Sequence, residues 1–239
     1  MIIKVCGMRE AENIREVRKL GVDWMGLIFH PDSPRYVSQI RSRAGIIPDY
    51  SRFEVKQETA RGTVDNAEPQ TPVKRVGVFV DDMPQNIVTR VVNYKLDVIQ
   101  LHGSEGVVLI DNLRRTIDPD IHPDILIMKS LPIASVEDIQ RYRDYVGHVD
   151  YFLFDTKTPL AGGSGKQFDW SVLEAYDGDI PFILSGGIGP EDVDRIKAIH
   201  HPMFAGIDLN SKFETEPAVK DVRLLGEFIE KIKTQNNNE

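Results

Sequence analysis

The chain alternates eight times between a short apolar run and an amphipathic stretch. The apolar runs have the length and composition of buried strands, and the stretches between them have the spacing of amphipathic helices. We predict strands at 2–6, 24–29, 75–80, 98–102, 125–130, 151–155, 182–186 and 204–209. We predict helices near 11–20, 38–47, 84–94, 105–117, 135–145, 169–176, 190–199 and 218–233.

Eight strand–helix pairs in 239 residues match the size and order of an α/β fold of one domain, the (β/α)₈ TIM barrel. A doubly wound open sheet is the structural alternative. That fold usually has fewer strands and often a G-x-G-x-x-G turn after the first one, and the sequence contains no such turn. The pattern therefore favours a barrel over residues 1–233.

Two polar segments do not follow the alternation of strands and helices. Residues 48–73 are charged and weakly periodic, so we expect a polar surface insertion between the second helix and the third strand. The end of the chain, 234–239, is expected to be a disordered tail.

Composition limits the partners. The formal net charge of −8 argues against general nucleic-acid binding, which needs a basic surface. No apolar run approaches the roughly 18 residues of a membrane span, and the N-terminus does not resemble a signal peptide. One cysteine cannot form an intrachain disulfide, so a cytoplasmic protein is expected. An anionic small molecule would need a local positive site.

The barrel prediction places a group of polar side chains at one face. Active sites of such barrels lie at the carboxyl ends of the strands. The strands predicted first, fourth, sixth and eighth end near Cys6, near Gln100 and His102, at Asp155 and at Asp208. A lone buried cysteine is often only a small apolar residue, but this position makes a reactive thiol the alternative.

Strand alternation extends this prediction into the barrel. If Cys6 points inward, Lys4 does so one layer below, where we expect it to pair with Asp208. Along the sixth strand, Tyr151, Leu153 and Asp155 should point inward as well. Lys4 could influence the electrostatic potential at the thiol, or it could form a purely structural ion pair with Asp208. The sequence is equally compatible with both.

Two loops at the same face suggest anion binding. The segment SGGIGPED (185–192) combines small residues with a helix start, which suits a phosphate. The segment HPDSPRY (30–36) is stiffened by prolines and carries Arg35, whose planar guanidinium suits a carboxylate.

Together these segments resemble the phosphoribosylanthranilate isomerase family. The resemblance runs through KVCGM, GLIFHPDSPRYV, VGVFV, IQLHG, FDTKTPLAGGSGKQFDW, LSGGIGPEDV and GIDLNSKFETEPAVKD, nearly from end to end. It implies an Amadori rearrangement of N-(5-phosphoribosyl)anthranilate to 1-(2-carboxyphenylamino)-1-deoxyribulose 5-phosphate in tryptophan biosynthesis. It implies no metal and no cofactor.

The resemblance also implies roles for residues. Asp155 would be the general acid and Cys6 the general base, so we expect neighbouring cations to lower the pKa of Cys6 and the site to raise that of Asp155. Arg35 would bind the anthranilate carboxylate. The strand positions of Asp208, Gln100 and His102, rather than the resemblance, make them candidates for residues that contact and orient the catalytic groups.

The implied phosphate site is formed by backbone turns. Gly186 and Gly187 would bind the phosphate together with Asn210 and Ser211. Lys212 departs from the family, which commonly has glycine there, so a contact between Lys212 and the phosphate stays open.

Other functions remain compatible with the sequence. The related histidine-pathway isomerase performs the same rearrangement. Such an enzyme would have a pair of aspartates as acid and base, whereas this sequence has Cys6 and Asp155 in those positions. A barrel that binds a phosphorylated metabolite without turnover is the alternative from another class. A phosphorylated small molecule is the expected partner in each case, and the chain could be a monomer or a homodimer.

Overall fold

Eight parallel strands close into a barrel in the computed structural model, which describes residues 1–38, 40–42, 45–47, 73–118, 120–157 and 168–234. In chain order the barrel strands are β1 (Ile2–Val5), β2 (Trp24–Ile28), β5 (Lys74–Phe79), β6 (Val98–Leu101), β7 (Leu126–Ile133), β8 (Tyr151–Thr156), β9 (Phe182–Leu184) and β10 (Phe204–Leu209). Each strand pairs with the next one along the chain, and β1 closes the ring against β10. The predicted barrel is confirmed, and the open sheet is ruled out.

Helical segments follow seven of the barrel strands within the described residues. The α-helices are α1 (Ala11–Lys19), α2 (Pro84–Tyr94), α3 (Val107–Ile117), α4 (Val136–Gln140), α5 (Val193–Lys197) and α6 (Val222–Lys233). Several predicted helices are shorter or tighter than expected. The segments Arg141–Tyr145, Trp170–Ala175 and Pro190–Asp192 are 3₁₀ turns.

The last helix begins later than predicted because its cap lies at Asp221. The Asp221 side chain accepts a hydrogen bond from the backbone N–H of Leu224 at 2.9 Å, which satisfies one of the free donors at the helix start. The residues before the cap form a small antiparallel pair instead, β11 (Glu214–Glu216) with β12 (Val219–Lys220).

The helix predicted at 38–47 is wrong. Residues Ile40–Ser42 (β3) and Gly45–Ile47 (β4) pair as antiparallel strands, with Ser42 opposite Gly45. Gly45 weakens a helix at this point, and the two isoleucines after it favour extended backbone. Pro48 also disfavours helical backbone in the residue before it.

The barrel wall separates two apolar clusters. The inner cluster consists of Trp24, Val76, Val98, Met128, Leu153 and Ile183. Along β8, Leu153 packs inside, whereas Phe152 and Phe154 pack outside in the larger cluster between barrel and helices. The predicted alternation is confirmed. Because these apolar side chains fill the barrel interior, a ligand can enter the barrel only at the carboxyl ends of the strands.

Two expectations concern residues beyond this description. The insertion predicted at 48–73 lies outside the described residues except for Val73, and the tail at 234–239 lies outside them except for Thr234. In the part of the chain that is described, no helix has the length and apolar character needed to cross a membrane.

Candidate active site

A cavity of about 310 Å³ opens at the carboxyl ends of the barrel strands. Its volume lies within the range of roughly 300–1,000 Å³ that is usual for small-molecule sites. The cavity is lined by all of the candidate site residues: Cys6, Arg35, Gln100, His102, Asp155, Gly186, Gly187, Asp208, Asn210 and Ser211. The structure thus brings together residues that are up to 205 positions apart in the sequence.

Two glycines provide space for the side chains of Cys6 and Arg35. Cys6 directly follows β1 and is 4% exposed. A Cβ atom on Gly26 would lie 2.7 Å from the Cys6 sulfur, so the absence of a side chain on β2 provides the space for the thiol. Gly7 has a φ of +77°, which glycine adopts without strain, and a Cβ there would lie 2.5 Å from Cδ of Arg35. The absence of a side chain at Gly26 therefore leaves space for the Cys6 thiol, and its absence at Gly7 leaves space for Arg35.

A buried ion pair lies below the thiol. Lys4 Nζ is 2.8 Å from Asp208 Oδ1, and the two residues are direct partners in the pairing of β1 with β10. The Lys4 side chain is fully buried. Burial alone would lower the pKa of Lys4, but Asp208 and then Cys6 outweigh it and raise that pKa above its ordinary value. The predicted pair of Lys4 with Asp208 is confirmed.

The expected lowering of the Cys6 pKa is wrong for this structure. Burial raises the pKa of the thiol above its ordinary value. Lys4 and Lys220 act in the opposite direction, while the charge of Asp208 adds to the increase. The sequence placed cations near the thiol correctly, but it did not show how completely the thiol is withdrawn from water.

A chain of three polar side chains crosses the opposite part of the cavity. His102 Nε2 lies 3.3 Å from Asp155 Oδ2, and Gln100 Nε2 lies 2.9 Å from His102 Nδ1. With Gln100 donating to Nδ1, the ring proton is on Nε2, the nitrogen nearer to Asp155, an assignment that follows from this network. The second carboxylate oxygen of Asp155 accepts the backbone N–H of Thr156 at 2.9 Å. His102 therefore orients Asp155.

Arg35 is held by Glu214, a residue that the sequence analysis did not single out. Arg35 Nε lies 2.8 and 3.0 Å from the two Glu214 oxygens, and Nη2 lies 2.6 Å from Oε2. These contacts raise the pKa of Arg35. Burial would raise the pKa of Glu214, but Arg35 and Lys220 together lower it below its ordinary value, so the carboxylate is ionised.

Lys220 completes this second buried charge cluster and was also missed. Its fully buried Nζ lies 2.6 Å from Glu214 Oε1 and 2.8 Å from Asn210 Oδ1. Asn13 on α1 fixes the Lys220 backbone through both its N–H and its C=O, at 2.8 and 2.9 Å. The one available signal in the sequence was the presence of three charged residues, Glu214, Glu216 and Lys220, in the short FETEPAVK segment.

The glycine turn after β9 lines the same cavity. Gly186 and Gly187 have φ values of +96° and +69°, and a Cβ on Gly186 would collide with Thr156. The helical segment that follows starts as a 3₁₀ turn, so no long helix begins directly at this glycine turn. On the neighbouring loop Ser211 is half-buried and Lys212 is exposed.

Comparisons with known proteins agree on one family. The family model for N-(5'phosphoribosyl)anthranilate (PRA) isomerase matches residues 3–231. The N-(5'-phosphoribosyl)anthranilate isomerase of Parabacteroides distasonis is 44% identical over 97% of this chain and 93% of its own length.

Two solved structures extend the likeness to the fold. Monomers derived from the dimeric enzyme of Thermotoga maritima have 29% identity and a TM-score of 0.72, covering 98% of this chain and 99% of the other. A phosphoribosyl anthranilate isomerase in complex with reduced 1-(o-carboxyphenylamino)-1-deoxyribulose 5-phosphate has 27% identity and a TM-score of 0.71, with the same coverage.

Proposed function

The chain belongs to the N-(5'-phosphoribosyl)anthranilate isomerase family, and from that premise we propose that Cys6 is the general base and Asp155 the general acid of its reaction. The enzyme is an isomerase of L-tryptophan biosynthesis. It converts N-(5-phosphoribosyl)anthranilate to 1-(2-carboxyphenylamino)-1-deoxyribulose 5-phosphate by an Amadori rearrangement.

The observation that carries this assignment is the placement of the two groups. Cys6 follows β1 and Asp155 ends β8, three strands away around the ring, and both line the same cavity. A sugar bound between them has an acid on one side and a base on the other, which the rearrangement requires.

The chemistry then follows in two proton transfers. The Asp155 carboxyl group donates its proton to the furanose ring oxygen, and the bond between C1 and that oxygen breaks to give a protonated Schiff base. The Cys6 thiolate removes the proton from C2, which gives an enolamine that tautomerises to the ketone. His102 holds the Asp155 carboxyl group in place at 3.3 Å, and Gln100 fixes the His102 ring.

The two ends of the substrate have separate sites in this proposal. Arg35 binds the carboxylate of the anthranilate ring, since it lines the cavity and its planar guanidinium suits a carboxylate. The phosphate is bound by backbone N–H groups of Gly186 and Gly187, with Asn210 and Ser211 on the neighbouring loop. Asp208 lies below the sugar, with one oxygen on Lys4 and the other 3.4 Å from the Ser185 hydroxyl.

The setting of the enzyme is part of the proposal. A single cysteine that must stay reduced suits the cytoplasm. The enzyme of Thermotoga maritima is described as dimeric, and we propose that this chain acts as a monomer or a homodimer.

Steady-state turnover tests the acid–base assignment. The assay follows the loss of phosphoribosylanthranilate fluorescence with wild type, Cys6→Ser and Asp155→Asn, each checked for folding by circular dichroism. General acid or base groups contribute about 10²–10⁴-fold, so both variants should lose at least two orders of magnitude in kcat. Asp194→Asn, at an exposed carboxylate on α5, serves as the control and should keep wild-type turnover.

Two results would contradict the assignment. Full turnover by either folded variant would remove that residue from the proton transfers. A wild-type protein that binds reduced product without turning over substrate would show that the barrel serves as a metabolite sensor.

A further inference from the structure

We propose that Glu214 is a positioning residue that makes Arg35 selective for the substrate carboxylate. The inference rests on the proposed role of Arg35 and adds to it a residue that acts through the guanidinium group. Glu214 does not line the cavity, so it influences the substrate only through its neighbours.

The contacts show which part of Arg35 remains available. A guanidinium group has five N–H donors in one plane. Glu214 occupies the edge formed by Nε and Nη2, with distances of 2.6–3.0 Å. Nη1 has no hydrogen-bond partner among the described residues, so the edge formed by Nη1 and Nη2 is left for a second carboxylate. Glu214 therefore fixes both the plane of the guanidinium group and the edge that it presents.

The charges of the cluster support the same conclusion. Arg35 and Glu214 alone would form a neutral pair with little net attraction for an anion. Burial lowers the pKa of Lys220 below its ordinary value, and the charge of Glu214 opposes that effect. With Lys220 protonated and donating to Glu214 at 2.6 Å, the three residues together carry one positive charge. One excess charge matches the single carboxylate of an anthranilate ring and provides the local positive site that a chain with a net charge of −8 requires.

The contacts of Glu214 and of its neighbour Lys220 with the backbone fix the position of the Glu214 carboxylate. Glu214 Oε1 also accepts the backbone N–H of Ala218 at 3.3 Å, in the turn between the two strands of the small β11–β12 pair. Asn13 fixes the backbone of Lys220 from α1. Besides Arg35, the carboxylate of Glu214 is therefore held by two groups, Lys220 Nζ and the Ala218 N–H, and these contacts fix the position in which it holds Arg35.

The test is a ratio of affinities for two product analogues. One is reduced 1-(o-carboxyphenylamino)-1-deoxyribulose 5-phosphate, and the other is the same compound without the carboxyl group. Wild type should bind the carboxylate compound much more tightly, and Arg35→Ala should lose most of that preference. Glu214→Gln adds one positive charge to the cluster, which by itself favours an anion, but it should still lower the preference roughly tenfold or more, since its amide oxygen cannot hold both Nε and Nη2 as the carboxylate does.

Three further variants make the result specific. Glu216→Gln, at an exposed position of the same strand, should keep the wild-type preference. In the Arg35→Ala background, Glu214→Gln should change the preference no further. Glu214→Asp keeps the charge beside buried Lys220 but shortens the side chain, so it should fold and still lose part of the preference even where Glu214→Gln does not fold.

The outcomes separate this inference from the proposal on which it rests. If Arg35→Ala loses the preference but Glu214→Gln and Glu214→Asp keep it, Arg35 binds the carboxylate and the positioning role is overturned. If Arg35→Ala keeps the preference, the proposed role of Arg35 itself fails. Equal weakening of both analogues by Glu214→Gln would indicate a merely structural residue and would also overturn the inference.

Discussion

Replacing Gly26 with alanine tests whether the position of the thiol matters. The new Cβ would lie 2.7 Å from the Cys6 sulfur, whereas ordinary contacts are 3.4–4 Å, so the sulfur must move by roughly 1 Å. A displacement of about 1 Å at a reacting group can cost on the order of 10²-fold in rate. We therefore expect Gly26→Ala to lose roughly a hundredfold in kcat, with an overpacking cost of about 1–3 kcal/mol in the free energy of unfolding.

The matched control is Gly77→Ala on the adjoining strand β5. A Cβ on Gly77 would collide with Cδ1 of Leu96 and lie 2.8 Å from Cε2 of Phe79, both on the outer side of the barrel wall. This variant should lose comparable stability but keep kcat, measured by substrate fluorescence at temperatures well below its Tm. The reasoning fails if folded Gly26→Ala turns over like wild type, or if the two variants lose activity in parallel.

Three other predictions follow from the site. Because burial raises the pKa of Cys6, the pH midpoint of its alkylation by iodoacetamide should lie above that of a small free thiol measured in the same buffer; a midpoint at or below that of the free thiol would contradict a thiol kept in its neutral form by burial. Lys4 lowers the pKa of Cys6, so Lys4→Met should move the pH midpoint of thiol alkylation by iodoacetamide upward; normal activity with an unchanged midpoint would leave Lys4 a purely structural role. Deleting 48–72 should preserve turnover in the steady-state assay, and a folded but inactive deletion protein would show that the segment takes part in the reaction.

The barrel and most of its site could be predicted because both depend on the order of strands. Once β1, β6, β8 and β10 are recognised as barrel strands, the residues at their carboxyl ends must meet at one mouth, whatever their separation in sequence. Cys6, Asp155 and the Lys4 pair with Asp208 follow from this rule and from strand alternation alone.

The missed features depend on information that no local pattern carries. Arg35 and Glu214 are 179 positions apart and meet only because the β11–β12 pair folds back beside the β2 loop. The strands at 40–42 and 45–47 were mistaken for a helix because their apolar spacing is too short to distinguish the two periods. The direction of the Cys6 pKa was wrong because depth of burial is a property of the packed molecule.

The raised pKa of Cys6 fits the proposed order of proton transfers. Lys4 is paired with Asp208, and the cluster of Arg35, Glu214 and Lys220 has one positive charge left. The substrate carboxylate neutralises that charge when it binds. Before the sugar ring opens, every cation near the thiol is therefore already paired with an anion, and none is left to stabilise a thiolate. Donation of the Asp155 proton opens the sugar and creates a protonated Schiff base next to C2, which both acidifies the C2 proton and stabilises a thiolate beside it. The electrostatics thus favour acid before base: the thiol is a poor base until the substrate itself brings the positive charge.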